Sequence, residues 1–438
     1  MIKTRIPPLS LAVCLALLLT SCSAWDPSGQ EGPEAADVIE LTFWDENPGE
    51  SRTPYYEELF RRFEAAHPGI RVNYVGVPVS FNKQQYDVAI AANTMPDLAA
   101  VNAEWIADFA AKDALLPLDD YYAAWPGREE IPQSFIDYNR GLVPDEKLYQ
   151  LPNTLYFDVL WYRADWFREA GVGAPERWDG FFERIRQLNR PELGQYGYSL
   201  RGGAGSITQL TSMLYAYSGQ SAYFREDGTC TINDPRHLEF LKRYIGLYGQ
   251  YTKNSDILNG YKEMVSAFDS GTAALISHNF GSYHDHMASL GGDRVGAALL
   301  PRAKDGSRVM VTVANGYSIF RSAKHPDAAW NLLQFLMSEE SQTYWNAHVG
   351  QIPTNRRSLE SGAFREPALI REALAALEDP KTVRLHMPYD LPNYAKAVKQ
   401  QIEPNFQKVL TGELAPELFL DDWAALMERT YAQYHHEE

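Results

Sequence analysis

The chain runs to 438 residues with a formal net charge of −17, so it lacks the basic face that phosphate binding requires, and nucleic acid is excluded as its partner. Three cysteines, Cys14, Cys22 and Cys230, give no disulfide framework, and none is needed, since a chain this long buries roughly two to three self-sufficient cores. The acidity reads as a solubility feature, while 26 Tyr and 10 Trp supply flat faces with polar handles.

The first element is an uninterrupted run of nine apolar residues, Leu11 to Leu19, preceded by Lys3 and Arg5. A spanning helix needs roughly 20, so this is a targeting segment. It ends in Leu19-Thr20-Ser21-Cys22, which resembles the lipobox of bacterial lipoproteins. The resemblance implies a signal peptide over 1–21, cleavage before Cys22, lipid on its thiol and an acylated new amino terminus. That places the protein outside the cytoplasm, anchored to the bacterial membrane through Cys22. Residues 22–37, rich in Pro, Gly, Ser and acids without a period, read as a flexible tether.

Alternation in Val38–Trp44 predicts a strand, and Thr53-Pro54 opens a helix as N-cap and first residue. Tyr56, Leu59, Phe60 and Phe63 form its apolar stripe before His67-Pro68-Gly69 ends it. Ile70–Val77 alternates again, and a β-α-β crossover of this length implies parallel strands in an α/β layer fold. A helix follows over Lys83–Ala92, then a strand from Asp97 to Asn102 and a helix over Glu104–Lys112. Thr154–Tyr162 reads as one strand-like run feeding a helix closed by Gly171 at C′. From Phe181 onward helices dominate, including 207–219, 235–251, 326–347 and 421–434.

No P-loop, H-E-x-x-H or G-x-S-x-G motif is present. Arg201–Gln209, "RGGAGSITQ", has glycines that could cradle an anion at a helix start, but reads better as a loop with Ser206 as N-cap. His278, His284 and His286 include an H-x-H pair without a companion cluster, so they read as exposed loop histidines and no metal or cofactor is expected. "WDEN", Trp44 to Asn47, stands directly after the first strand, where ligands gather in α/β sheets. Asp45, Glu46 and amides there suit sugar hydroxyls, and Trp44 suits the apolar face of a sugar ring. Aromatics with amides or acids recur at Asn102 and Trp105, at Tyr156 and Asp158, and at Asn315 and Tyr317.

Several stretches fit one pattern in order and spacing. They are "ELTFWDEN", "FRRFEAAHPGIRVNYVGV", "MPDLAAVNAEWIADFAAKDALLPLDDY" and "FDSGTAALISHNFG", together with Pro152, Tyr162, Phe167, Gly171, Pro175, Trp178 and Asp179 and the run "NGYSIFRSAKHPDAAWNLLQFLMSEESQ". The chain thereby resembles the extracellular solute-binding proteins of family 1, the sugar receptors of ABC importers. The resemblance implies a two-lobed periplasmic-binding-protein type II fold, α/β, with hinge strands and a ligand cleft between the lobes. Lobe 1 is expected over 38–152 and 303–345 and lobe 2 over 153–302 and 346–438, with crossings near Pro152, Leu300 and Asn346. It implies sugar contacts from Trp44, Asp45, Glu46, Asn102, Trp105, Tyr156, Asp158, Asn279, Tyr283, Asn315, Tyr317 and Tyr394. Two departures bear on the site: Val313 and Ala314 stand where the family often has paired glycines, and Phe280 or Tyr283 where it often has Trp.

The function expected is a monomeric, non-catalytic receptor that passes a carbohydrate, an oligosaccharide by preference, to transmembrane permease subunits. A lipid-anchored glycoside hydrolase using Asp45 or Glu46, and a receptor for a peptide or polyamine, are the alternatives.

Overall fold

A computed structural model describes residues 38–78 and 81–435; Cys22, the apolar leader and the tether lie outside the described residues. The strands are β1 (Ile39–Asp45), β2 (Ile70–Gly76), β3 (Leu98–Val101), β4 (Leu151–Tyr156), β5 (Val159–Arg163), β6 (Tyr196–Tyr198), β7 (Ala273–His278), β8 (Val295–Leu299), β9 (Arg308–Val311), β10 (Val313–Ile319), β11 (Ile352–Pro353) and β12 (Thr382–Leu385). They form a six-stranded sheet ordered β11-β4-β10-β3-β1-β2, a four-stranded sheet ordered β6-β7-β5-β8, and the pair β9-β12. Each larger sheet carries its own helices, giving the two-domain α/β architecture of type II periplasmic binding proteins.

In the first lobe β1 runs parallel to β2 and β3, as the β-α-β reading requires. Leu41 and Phe43 point from β1 onto Tyr56, Leu59, Phe60 and Phe63 of the helix Thr53–Ala66. Burying each such side chain contributes roughly 2 kcal/mol. The helix begins one residue before the expected position: Arg52 sits at the N-cap without a capping side-chain bond. The Thr53 hydroxyl accepts from the Gly49 N–H (3.1 Å) and bonds the Tyr74 hydroxyl (2.8 Å). Strand β10, antiparallel to both β3 and β4, fills the place between them.

The Thr154–Tyr162 run is two strands. Tyr156 ends β4 in the first sheet, and Val159 begins β5, which pairs with His278 of β7 and Leu299 of β8 in the second. The apolar residues on both sides of Asp158 hide the change of sheet, because both halves are buried. The chain returns from β8 to β10 through β9, and after β11 it runs into helices whose Phe364, Ile370 and Ala373 pack with the second sheet. The helical run 326–347 is also two elements, Pro326–Leu336 and Glu339–Val349. Ser338 breaks it by accepting from the Ser341 N–H (3.3 Å) as a new N-cap. Gly171 does occupy the left-handed position after the helix Ala164–Glu169, with φ of 67°.

One apolar cluster lies under the first sheet and another beside β5 and β7. The third runs from Tyr86, Trp105 and Phe109 of the first lobe to Tyr198, Tyr215 and Tyr394 of the second. Among the described residues no helix is long and apolar enough to cross a membrane.

Candidate functional site

The C-terminal ends of β1, β3 and β4 and the start of β10 share one edge of the first sheet. Asp45, at the end of β1, is 0% exposed and accepts from the Tyr74 hydroxyl (3.0 Å) and the Asn47 N–H (3.1 Å). The Arg52 guanidinium lies 3.5 Å from Asp45 and 4.0 Å from Glu46, over the Trp345 ring at 5.1 Å. Burial opposes its charge, but Asp45, Tyr156, Tyr56 and Glu46 outweigh that and hold it firmly protonated. Its Nε–H is buried without a hydrogen-bond partner. Burial pushes the Glu46 carboxyl up to about 7; Arg52 pulls it down, Asp45 and Glu104 add like charge, and a hydrogen bond with Asn102 opposes them.

Asn102 follows β3 and precedes the helix Ala103–Ala111 without capping it. Instead the Asn315 carbonyl accepts from the Ala103 N–H (2.9 Å), and the Asn315 amide donates to Asn102 (2.9 Å). Asn315 thus caps a helix from the neighbouring strand, and the two amides fix each other. The β10–β4 register slips between Asn315 and Gly316. A Cβ at Gly316 would sit 1.9 Å from the Leu151 carbonyl oxygen, so only glycine permits this approach. Gln351 donates to the Tyr156 hydroxyl (2.6 Å). Glu46, Arg52, Tyr156, Asn315, Trp345 and Gln351 line a recess of about 240 Å³.

The second lobe faces this edge with Tyr261, whose hydroxyl donates to Asn47 (3.4 Å) and whose ring stacks on His278 (5.7 Å, 13°). Burial, then the Arg201 guanidinium and the neighbouring His286, push the His278 imidazole down to about 3, so it is neutral at pH 7. The glycine loop before the helix Ser206–Ser218 does hold an anion, but the anion is the protein's own. The Glu403 carboxylate accepts from the Gly205 N–H (2.5 Å). Gly205, at φ 79°, takes the N-cap position expected of Ser206. Burial raises Glu403, and likewise Glu104, whose carboxylate accepts from the Trp105 indole N–H (3.1 Å) and feels Glu403 across the lobes.

Of the expected site residues, Glu46, Asn102, Tyr156 and Asn315 come together at the recess, and Asp45 lies directly beneath. Trp44 is half-buried, edge-on to Tyr86 (5.2 Å). Trp105, Tyr317 and Tyr394 are interior residues. Trp105 and Tyr394 pack in the cluster that joins the lobes, and the Tyr317 hydroxyl, 1% exposed as a residue, accepts from Asn153 (2.9 Å). Asp158, where the chain changes sheet, lines a separate cavity with Ser212 and Arg308. Asn279 accepts from the Gly281 N–H in its own turn (2.8 Å), and Tyr283 packs against Trp161 (6.3 Å). An aromatic at a strand end does not reveal which side of the sheet edge it takes.

Arg52, Gln351, Tyr261 and Glu403 belong to the same region without a motif that marks them, as do Glu104, between Asn102 and Trp105, and Arg201, at the head of the glycine loop, neither of which the sequence alone assigns a role. Arg52 carries a signal, a lone cation in the turn after "WDEN"; Gln351, Tyr261 and Glu403 come from segments that only the fold brings near. The three histidines are not exposed loop residues as a group. His278 ends β7, His286 is buried with Nδ1 2.6 Å from Asp269, and His284 alone is exposed, bonded to the Ala347 carbonyl. Among the described residues no group of three His, Cys, Asp or Glu side chains could hold a metal.

The mannitol-binding protein of Pseudomonas aeruginosa is 26% identical over 388 residues, 82% of this chain and 86% of its own. Among solved structures, the GacH receptor of Streptomyces glaucescens, determined without ligand and with acarbose, matches 91% of this chain and 98% of its own at 22% identity and TM-score 0.76. An ABC transporter solute-binding protein from Thermotoga lettingae bound with α-D-tagatose matches 90% and 100% at 21% identity and TM-score 0.79. The family model for bacterial extracellular solute-binding proteins matches residues 49–343. With its two sheets and the polar edge between them, this chain belongs to the bacterial extracellular solute-binding proteins.

Proposed function

We propose that the protein is a lipid-anchored receptor that binds a carbohydrate, an oligosaccharide by preference, between its lobes and delivers it to the permease of an ABC importer. The observation that carries this reading is the recess at the strand ends, where buried amides and carboxylates are pinned by one another and aromatic faces stand beside them. Such groups reward a ligand that satisfies them and penalise one that leaves them unpaired. Glu46, Arg52, Asn102, Tyr156 and Asn315 would contact ligand from the first lobe, with Trp44 at its margin, and Tyr261 and His278 from the second.

Tyr261 of the second lobe already bonds Asn47 of the first across the recess (3.4 Å), so the lobes part to admit a sugar. Opening at the segments between the sheets and closing on ligand would give the permease a state to recognise. Lipidation of Cys22 and the 22–37 tether would keep the receptor within reach of its partner. The mannitol- and acarbose-binding relatives support a polyhydroxylated ligand.

The test is a thermal-shift screen of the purified protein against saccharides, polyols, amino acids and polyamines, with recovery of the ligand. At a hundredfold its Kd a ligand adds about 2.7 kcal/mol. An intact sugar hit supports the reading; a cleaved sugar points to a hydrolase, and a response to amino acids or polyamines alone overturns the carbohydrate assignment.

A further inference from the structure

The Gln351 amide can face Tyr156 with either end, because a half-turn exchanges its nitrogen and oxygen, and the surrounding protons decide which end is where. With nitrogen towards the Tyr156 hydroxyl (2.6 Å), its oxygen faces the Thr154 hydroxyl (3.3 Å). Thr154 has one proton to give, and the nearer acceptor is Asn346 Oδ1, at 2.8 Å. Asn346 cannot turn over to release it. Its Nδ2 donates to two main-chain carbonyls, of Asn153 (3.3 Å) and Gln342 (2.9 Å), and carbonyls only accept. In that arrangement the Gln351 oxygen is a buried acceptor facing a proton already committed elsewhere. The 2.6 Å contact on its other side is short for N–H···O and ordinary for O–H···O.

Turned over, the amide satisfies each of these partners: its nitrogen donates to the Thr154 oxygen and its oxygen takes the Tyr156 proton. We propose that Gln351 stands this way and is a positioning residue of the solute site, holding the Tyr156 proton so that the phenol oxygen is left as an acceptor and the recess selects a saccharide that donates a hydroxyl to it. This rests on reading the recess as the solute site; Tyr156 and Gln351 both line it. The arrangement is anchored in the main chain. The Gln351 N–H donates to the Asn346 carbonyl (2.9 Å), and β11, which follows directly, pairs with β4, Ile352 beside Leu155 and Pro353 beside Thr154. That register brings Gln351 opposite Tyr156 at the end of β4. In the other orientation Tyr156 keeps its proton for the ligand, and an oxygen or fluorine that only accepts serves there as well as a hydroxyl.

Neutron diffraction from sugar-free crystals of the protein, grown in deuterated solvent, reads the proton directly. A deuteron on Tyr156 Oη directed at Gln351 is expected, with the amide deuterons on the side of Thr154; amide deuterons facing Tyr156 overturn the assignment. Titration calorimetry with maltose, cellobiose and mannobiose, then with the deoxy and deoxyfluoro derivatives of the tightest binder, reads the selectivity. At the hydroxyl that meets Tyr156, fluorine should weaken binding as much as hydrogen does, about tenfold in Kd, because neither donates. Gln351→Glu, which also accepts from Tyr156, should keep that penalty, whereas Gln351→Leu frees the Tyr156 proton and should let fluorine recover most of it. Should the variants fail to fold, the unaltered protein still gives the deuteron positions and the fluorine comparison. Fluorine outbinding hydrogen at every position overturns the role of Gln351 and leaves the carbohydrate receptor standing; binding of none of the sugars removes both.

Discussion

Replacing Glu46 by Gln should change how stability depends on pH. A carboxyl normally at 4.5 and raised to about 7 in the fold binds its proton more tightly folded than unfolded. Its contribution is therefore fully present below about pH 4.5 and is lost as pH rises through about 7, in total about 3 kcal/mol. The Glu46 side chain is 13% exposed, so solvent screening removes little of this. For about 400 ordered residues the unfolding entropy is roughly 0.8 kcal/mol/K, which makes the effect about 4 °C in Tm. Glu46→Gln cannot titrate, so its Tm between pH 4.5 and 8 should fall about 4 °C less than that of the unaltered protein. Burial also raises Asp256, to about 6, but that carboxyl titrates in both proteins and cancels in the comparison. Calorimetric Tm profiles that run parallel within about 1 °C would refute the claim that Glu46 is a strained, buried acid.

Arg52→Met should lower stability by about 3–5 kcal/mol, read as a Tm drop of several degrees, because it strands Asp45 as a buried charge. Gly316→Ala places a methyl group against the Leu151 carbonyl, and a loss above about 2 kcal/mol in denaturant unfolding is expected, with ligand affinity falling as Asn315 shifts. Tyr317→Phe leaves the Asn153 amide without its acceptor; it should destabilise by about 1 kcal/mol while ligand affinity stays unchanged in calorimetry. Added zinc, or its removal by chelator, should leave Tm unchanged, since His278, His284 and His286 have separate partners.

Local patterns carried most of the architecture. The alternation in β1 and β2 and the stripe of the helix between them are properties of contiguous residues, and they reappear with the parallel pairing they imply. Gly171 and the stretch from Asp97 through Lys112 behaved the same way. What escaped were events decided at a distance. The passage from β4 to β5 at Phe157–Asp158 lies inside a buried run that Asp158 alone interrupts with a charge, and only the partners of each half separate them. The candidate site divides along the same line. Glu46, Asn102, Tyr156 and Asn315 are legible because strand ends share an edge. Tyr394 and Tyr317 are aromatics whose side of that edge is set by packing. Glu403 meets the Gly205 loop from 198 residues away.

The position of β10 bears on how the molecule assembles. Among the described residues it alone bridges β3 and β4, yet it follows every strand of the second sheet in the chain. Until residue 319 is available, the first lobe has two open strand edges and an incomplete core, while the residues of the second sheet are all at hand. A chain emerging from its amino end therefore has every strand of the second sheet before the first sheet can close, although the helices that complete the second lobe's core come later still. Its long-range pairing is of the kind that folds slowly and exposes edges meanwhile. For a protein whose family works outside the cytoplasm, that delay favours crossing the membrane before the first lobe can close.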